Sequence, residues 1–202
     1  MRRSRRVTRG YGLLESYLAK LRARKANELI PDGNSGRILD IGCGVYPLFL
    51  LNSDFSEKYG LDKGVNINCG MLYQGNDIVL FNHDIEKEEG LPFDDNYFNV
   101  VTMLAVMEHI EQKKAMNVMK EVYRILLPSG IFILTVPAVW TKKFLEFMAR
   151  LRIVSPYEIA EHKYFYPDSV IVSMLQKVKF EEEKIQFGYF EMFMNRWATA
   201  IK

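Results

Sequence analysis

Arg37-Ile38-Leu39-Asp40-Ile41-Gly42-Cys43-Gly44 is the stretch that decides the fold of this 202-residue chain. Its first five residues form a short apolar run, which predicts a buried β-strand, and a glycine turn follows at once. Glycines at a strand end let the backbone turn sharply and approach a ligand without a Cβ in the way. We therefore expect a strand, a tight bend and a binding site within residues 37–44.

Apolar runs and amphipathic stretches alternate along the rest of the chain. The pattern predicts further strands at 58–62, 77–84, 99–106 and 131–136, and helices at 11–30, 47–51 and 111–127. Strands that are apolar on both faces and alternate with helices indicate a parallel sheet covered on both sides. Beyond residue 137 we expect helices at about 141–151 and 167–177, then strand-like runs near 180–188 and 191–201 that pair as an antiparallel edge.

Composition is that of one globular domain. Hydrophobic residues make up 49% of the chain and charged residues 26%, and no apolar run reaches the roughly 18–20 residues of a membrane span. The two cysteines, Cys43 and Cys69, are too few for a disulfide framework, and the three histidines lack metal-ligand spacing. We expect a cytoplasmic, reduced protein without a bound metal.

Charge is distributed unevenly along the chain. Residues 1–25 carry nine Lys/Arg and one acid, a net charge of +8, whereas residues 26–202 carry a net charge of −6. We therefore divide the chain into a basic arm and helix at 1–34 and a single domain at 35–202. Such an arm suits phosphates or an anionic membrane surface, and the alternative is an ordinary solvated terminus.

Three glycine-rich or acidic positions follow predicted strands. The Gly42–Gly44 turn leaves the first strand, Asp62 ends the second, and Asp84-Ile85 follows the third. A carboxylate at the end of the second strand is placed to accept hydrogen bonds from ribose hydroxyls. Since all three positions belong to the carboxyl edge of one sheet, we expect them to meet around a nucleoside.

Several longer segments carry a family resemblance. They are Arg37–Gly44, Tyr59-Gly60-Leu61-Asp62, His83-Asp84-Ile85, Leu91–Val101, Ala105-Val106-Met107-Glu108-His109-Ile110 and Glu121–Gly130. In this order they closely resemble the successive motifs of the class I S-adenosylmethionine-dependent methyltransferases. The resemblance is good over about residues 36–138 and looser over the last forty.

The resemblance implies a Rossmann-like α/β fold with a mostly parallel seven-stranded sheet, helices on both faces and an antiparallel last strand. It implies binding of S-adenosylmethionine, with S-adenosylhomocysteine as product. The cofactor contacts that it implies are Asp40, Gly42, Cys43, Gly44, Asp62, Lys63, Asp84, Ile85, Leu104 and Ala105. One position departs from the family, because the usual third glycine is replaced by Tyr46, which either covers the ligand or weakens its binding.

A nicotinamide dehydrogenase is the rival interpretation of a glycine turn with a distant acid. The dinucleotide fingerprint needs a glycine that opens the following helix, and that position is Pro47 in this chain. The rival also leaves Asp84 unexplained. We therefore set it aside.

Candidate catalytic and acceptor-binding residues follow the fourth strand and lie in an aromatic segment. His109 is the candidate base because an imidazole titrates near neutral pH, and the alternative is that it packs at a helix start. An acceptor pocket is predicted from Tyr46, His109, Tyr157, His162 and Tyr164, against the alternative of ordinary loop packing.

The expected acceptor is a small or lipid-like molecule, and contact with a membrane surface is compatible with the basic arm. We do not expect nucleic acid, because the fourth strand is followed by Ala-Val-Met-Glu-His and not by the Asn/Asp-Pro-Pro-Tyr motif of base amino-group methylation. Three alternatives stay open: an RNA-directed enzyme, a protein-directed enzyme, and a non-catalytic protein that binds S-adenosylmethionine. The sequence leaves the oligomeric state open.

Overall fold

Seven strands form one sheet in the computed structural model of the protein. They are β1 (Arg37–Ile41), β2 (Glu57–Leu61), β3 (Ile78–Phe81), β4 (Phe98–Leu104), β5 (Leu126–Pro137), β6 (Ile185–Phe190) and β7 (Asn195–Ile201). Their order across the sheet is β3-β2-β1-β4-β5-β7-β6. Strands β1 to β5 pair in parallel, and β7 is antiparallel to both of its neighbours. The predicted sheet, with its antiparallel last strand, is confirmed.

The helices whose full extent the structure describes are α1 (Glu15–Leu29), α2 (Leu48–Leu51), α3 (Gln112–Ile125) and α4 (Asp168–Lys177). The structure describes residues 15–33, 35–66, 77–141, 145, 147, 148, 150, 151, 154 and 163–202. The arm at residues 1–14 and Cys69 therefore lie outside the described part, as do residues 142–144, 146 and 149 of the predicted helix at 141–151. Within that part, no helix combines the length and apolar character that a transmembrane segment needs.

Helices cover both faces of the sheet. On one face α3 buries its predicted apolar side, and it packs with α4 against the centre of the sheet. On the other face α1 and α2 pack against β1 and its neighbours. Both faces of β4 are consequently buried, which explains why this strand reads as an uninterrupted apolar run.

Helix α1 packs differently from the prediction. Tyr17, Leu18 and Leu21 have the helical spacing that predicts one packing side, but Tyr17 is 59% exposed. Leu18 and Leu21 are half-buried, whereas Ala23 and Ala26 are buried. Small side chains let the helix lie close to α2 and to the ends of β4 and β5. Helix α1 is therefore a wall of the sheet edge where the candidate site lies.

Strand bounds near the C-terminus also differ from the prediction. The sequence predicts a helix that ends at 127 and a strand that begins at 131, and Pro128-Ser129-Gly130 between them is typical of a turn. In the structure these three residues lie inside β5, where a register shift opposite residues 98–100 and a positive φ of 65° at Ser129 absorb the extra residues. The Ser129 amide donates to the Lys202 carbonyl, which fixes this bulge from the far end of the chain. Strands β6 and β7 begin later than predicted, because residues 182–184 form a 3₁₀ turn and residues 191–193 adopt positive φ.

Candidate functional site

A cavity of about 300 Å³ opens at the carboxyl edge of the parallel strands. Its wall consists of the turn after β1, the residues that follow β2, β3 and β4, and one side of α1. Open α/β folds bind ligands at this edge. The sequence-predicted residues on the wall are Asp40, Gly42, Cys43, Gly44, Tyr46, Asp62, Lys63, Asp84, Ile85, Leu104, Ala105 and His109.

The glycine turn is held against β2 by backbone hydrogen bonds. The amides of Gly42 and Cys43 donate to the Leu61 carbonyl at 2.7 and 3.1 Å. Gly42 has a φ of +78°, and a Cβ at this position would lie 2.3 Å from Cγ2 of Val106. Gly42 is therefore required both by the backbone conformation and by the close approach of Val106, so the turn is a cradle that a side chain would fill.

Asp62 links this turn to the end of β2. Its Oδ2 accepts a hydrogen bond from the Gly44 amide at 3.1 Å, and its Oδ1 accepts one from the Gly64 amide at 2.6 Å. A carboxylate can accept about four hydrogen bonds, so fixing the loop and accepting ribose hydroxyls are compatible tasks. The carboxylate thereby also sets the position of the glycine turn.

Asp40 differs from Asp62 in being buried, with 4% of its surface exposed. The hydroxyl of Thr102 on β4 donates to its Oδ1 at 2.7 Å. Burial raises the pKa of Asp40 to about 7, although the Thr102 hydrogen bond opposes this rise and the nearby Asp62 adds to it. Asp40 therefore changes its charge within the physiological pH range.

Asp84 is the third acidic position. Burial raises the pKa of its carboxyl, but hydrogen bonds from the Glu86 amide at 3.1 Å and from Lys87 outweigh burial and bring the pKa below its ordinary value. Asp84 is thus ionised at neutral pH. Next to it, the imidazole of His83 is buried between the Gly90 carbonyl and the Glu88 carboxylate, each 3.1 Å away.

Tyr46 stands where the family has its third glycine. Its half-buried side chain packs against the core cluster below α1 and α2, and it forms part of the cavity wall. The cavity of about 300 Å³ persists beside it. Tyr46 therefore narrows the glycine loop without filling the space next to it.

The segment after β4 brings His109 to the cavity. Ala105 adopts a positive φ of 55°, and its amide donates to the carbonyl and the hydroxyl of Thr135. A 3₁₀ turn, Met107–His109, then places His109 on the wall. The geometry is compatible with the predicted base, and that role stays a prediction.

Glu108 is a cavity residue that the sequence reasoning passed over. It is 2% exposed, its Oε2 has no hydrogen-bond partner among the described residues, and burial raises the pKa of its carboxyl. Nothing in the local sequence marks it apart from its place next to His109. Its burial depends on the loop at 163–166, whose Lys163 and Tyr164 amides donate to the Glu108 carbonyl at 2.8 and 3.2 Å.

The aromatic segment is described only in part. Tyr157 and His162 lie outside the described residues. Tyr164 is 41% exposed and is not among the residues that line the cavity. Its structural contribution is the backbone hydrogen bond to Glu108, while the hydroxyl of Tyr166 donates to the Ile110 carbonyl at 2.9 Å.

Helix α1 contributes residues that the sequence reasoning did not assign to the site. Leu18, Ala19, Arg22 and Ala23 line the cavity, and α1 packs beside β4 and β5. The sequence treated this helix as an extension of the domain, since its contacts with the sheet edge are tertiary and leave no local signature. The helix is thus part of the candidate site.

Comparisons with known proteins point to methyltransferases. Residues 39–134 match the family model of a methyltransferase domain. A demethylmenaquinone methyltransferase from Symbiobacterium thermophilum is 35% identical over 103 residues, which cover 48% of this chain and 40% of that protein. A tRNA N(3)-cytidine methyltransferase from Bos taurus is 28% identical over 119 residues, 54% of this chain and 32% of that protein. The chain thus spans well under half the length of these relatives.

A solved structure shares the fold over nearly the whole chain. The methyltransferase in a Haloferax volcanii complex with the Trm112 methyltransferase activator superposes with a TM-score of 0.69. The alignment covers 93% of this chain and 91% of that protein at 14% identity. At this identity the likeness establishes the fold, and it leaves the acceptor open.

Proposed function

We propose that this chain carries a class I S-adenosylmethionine-dependent methyltransferase domain. Its cavity binds S-adenosylmethionine for methyl transfer to a small or lipid-like acceptor. The observation that carries the proposal is the meeting of four separate chain segments around one cavity at the carboxyl edge of the sheet. A glycine turn with no room for a Cβ and two carboxylates suit a nucleoside with an amino-acid tail.

Each segment is assigned one part of the ligand. Asp62 accepts hydrogen bonds from the ribose hydroxyls, as carboxylates at this position of nucleotide-binding folds do. Asp84 accepts from the adenine amine and Ile85 packs on the base. The glycine turn, with Leu104 and Ala105, lies along the methionine portion.

Catalysis in this site rests on alignment and exclusion of water. S-adenosylmethionine supplies a methyl group on a positively charged sulfur, which leaves as a neutral thioether. The walls from α1 and from the segment after β4 hold the acceptor in line and keep water out. For an acceptor that reacts after losing a proton, His109 takes the proton, and Glu108 is a second candidate on the cavity wall.

A quinone-type small molecule is the acceptor class that we favour. The demethylmenaquinone methyltransferase is the relative with the higher identity over the matched region, and much of the cavity wall is apolar. An RNA acceptor is the second candidate, supported by the tRNA methyltransferase relative and by the net charge of +8 over residues 1–25. A protein activator, as in the Haloferax complex, is a further partner to test.

Calorimetry, followed by a methyl-transfer assay, tests the proposed function. We expect S-adenosylhomocysteine to bind the wild-type chain with one site, and Asp62→Asn to weaken that binding. Radiolabelled S-adenosylmethionine is then offered with a reduced demethylnaphthoquinone or with tRNA as acceptor. Transfer to the quinol supports the favoured class, and transfer to tRNA alone replaces it with the second candidate. Binding without transfer to either identifies a non-catalytic binding protein, and an absence of binding refutes the site.

A further inference from the structure

Large apolar side chains are exposed to water at the rim of the cavity. They are Trp140, Phe147, Leu151, Met192 and Phe193, and between 54% and 82% of the surface of each is exposed. We call these residues the apolar rim. Single exposed apolar residues are ordinary on a protein surface, whereas a group of them beside a binding cavity indicates contact with an apolar partner.

The apolar rim is continuous along the chain with the cavity wall. Pro137, the last residue of β5, pairs with Asn195, the first residue of β7, and both line the cavity. Trp140 comes shortly after Pro137, and Met192 and Phe193 come shortly before Asn195. These three exposed side chains therefore lie next to one side of the cavity.

The other two members of the rim have a similar relation to the cavity. Leu145 and Val154 line it, and Phe147 and Leu151 lie between them in the chain. The Leu151 amide donates to the Phe147 carbonyl at 3.3 Å, so the two exposed side chains are one helical turn apart and share a side. A partner bound to the apolar rim is consequently a neighbour of the cavity.

The turn between β6 and β7 holds Met192 and Phe193 in water at a conformational cost. Residues 191–193 all have positive φ, which residues other than glycine rarely adopt. The indole of Trp140 donates to the Phe193 carbonyl at 3.2 Å, and the carboxylate of Glu191 is turned inward, where it accepts from a side chain of β7. An apolar tip that is fixed outward in a strained conformation indicates a surface used for contact.

Cations accompany the apolar rim in the sequence. Residues 139–152 contain two lysines, two arginines and a single acid, and Arg150 among them is exposed. Lysine is depleted at protein–protein interfaces, whereas lysine and arginine beside apolar side chains suit anionic lipid headgroups. The indole of a tryptophan is also favoured at the boundary between lipid and water. The composition of this surface therefore favours a membrane over a protein as the partner.

We propose that the apolar rim docks the protein on a membrane that contains anionic lipids, with Trp140, Met192 and Phe193 inserted at the interface. Docking in this way places the rim of the cavity against the bilayer, so that an acceptor dissolved in the lipid enters the cavity without crossing water. The docking surface goes beyond the proposed function, and only its use for a lipid-like acceptor rests on that function.

Co-sedimentation of the full chain with lipid vesicles tests the docking surface. We expect wild type to bind vesicles of phosphatidylcholine mixed with phosphatidylglycerol, and to bind vesicles of phosphatidylcholine alone more weakly. Phe193→Asp should weaken binding to the mixed vesicles by about tenfold or more, because it removes an inserted ring and adds a charge that the lipids repel. Val79→Asp is the matched control, since Val79 is also exposed but belongs to β3, at the opposite edge of the sheet from β6. It should bind as wild type does.

Fluorescence identifies the inserted residue. Lipids brominated on their acyl chains quench a tryptophan that enters the bilayer, so they should quench wild type. Trp140→Phe should lose this quenching, because the remaining tryptophan, Trp197, is half-buried on β7 with Lys25 of α1 over its ring. Quenching that persists in Trp140→Phe would overturn the proposed mode of docking.

The remaining outcomes are distinct from one another. Thermal melts check that each variant folds, and Phe193→Asp should bind S-adenosylhomocysteine with the wild-type Kd, since Phe193 is not among the residues that line the cavity. Failure of wild type to bind the mixed vesicles would overturn the proposal and leave a protein as the partner of the apolar rim. Equal vesicle binding by wild type and Phe193→Asp, or equal losses in Phe193→Asp and Val79→Asp, would overturn it as well. Failure of wild type to bind S-adenosylhomocysteine would refute the proposed function and would leave the docking surface unaffected.

Discussion

Asp40 belongs to the first family motif and is also buried, and burial favours the neutral form of its carboxyl. The unfolded chain releases the proton of an aspartate near pH 4, whereas the folded protein holds it up to about pH 7. The folded state thus binds more protons than the unfolded state between these values. By linkage, the contribution of Asp40 to stability is fully present below about pH 4 and is lost as the pH rises through about 7.

Asp40→Asn tests this proton directly, because an amide keeps the shape and still accepts from Thr102. We expect urea unfolding to show that the variant gains stability relative to wild type by roughly 2–3 kcal/mol between about pH 5 and pH 8. Thr102→Val, which removes the donor but no titrating group, serves as the comparison. A constant difference between wild type and Asp40→Asn over this range would mean that Asp40 is ionised throughout.

Residue identities in the site were predictable where backbone conformation or charge imposes them. The glycines and acids of the motifs face the cavity because the turn after a strand admits few residue types. Arg22 and Glu108 were not predicted as site residues. Their places on the cavity wall, and the burial of Glu108, arise only once α1 and the loop at 163–166 are folded against the sheet.

The turn after β1 is the element on which the site depends, and its two glycines differ in a measurable way. Gly42 and Gly44 both have positive φ, of +78° and +70°. A Cβ on Gly42 would lie 2.3 Å from Val106, whereas a Cβ on Gly44 would have its nearest neighbour, the Tyr46 amide nitrogen, at 4.0 Å. The two positions therefore share the conformational strain and differ in the steric clash.

Alanine substitutions separate the cost of the strained backbone conformation from the cost of the steric clash. Gly44→Ala should lower the free energy of unfolding by about 1 kcal/mol, the cost of a left-handed alanine. Gly42→Ala should lose a further 1–3 kcal/mol or so through overpacking. The double variant Gly42→Ala/Val106→Ala should recover part of that additional loss in urea unfolding. Equal effects of the two single variants would show that the approach of Val106 is not rigid.

Elements were predicted best where their signal is local. The apolar runs of β1 and β4 and the amphipathic face of α3 were read correctly, because each is buried along its length by the sheet. The start of β5 was missed because its bulge is fixed by Lys202, 73 positions after Ser129 in the chain. The buried side of α1 was misjudged because packing selected its alanines over its larger side chains.

At the scale of the whole molecule, the last strand holds the segment that carries His109. The guanidinium of Arg196 on β7 is 4% exposed and donates to the Asp168 carboxylate and to the Tyr166 carbonyl. Tyr166 in turn donates to the Ile110 carbonyl, and the amides just before it hold Glu108. Chain segments far apart in sequence are thus connected in series from β7 to the cavity wall.

Arg196→Met should therefore loosen the cavity wall through contacts that begin on β7. We expect a loss of about 2–4 kcal/mol in the free energy of unfolding, because Asp168 loses its ion-pair partner. Arg196→Met/Asp168→Asn should recover part of this loss, since it also removes the charge that Arg196→Met leaves unpaired.

Hydrogen exchange gives the decisive measurement. The Lys163 and Tyr164 amides should exchange faster in Arg196→Met than the change in global stability accounts for. Central amides of β5 should follow global unfolding alone. Parallel changes at both places would mean that Arg196 stabilises the fold as a whole and does not act through the loop at 163–166, which holds Glu108.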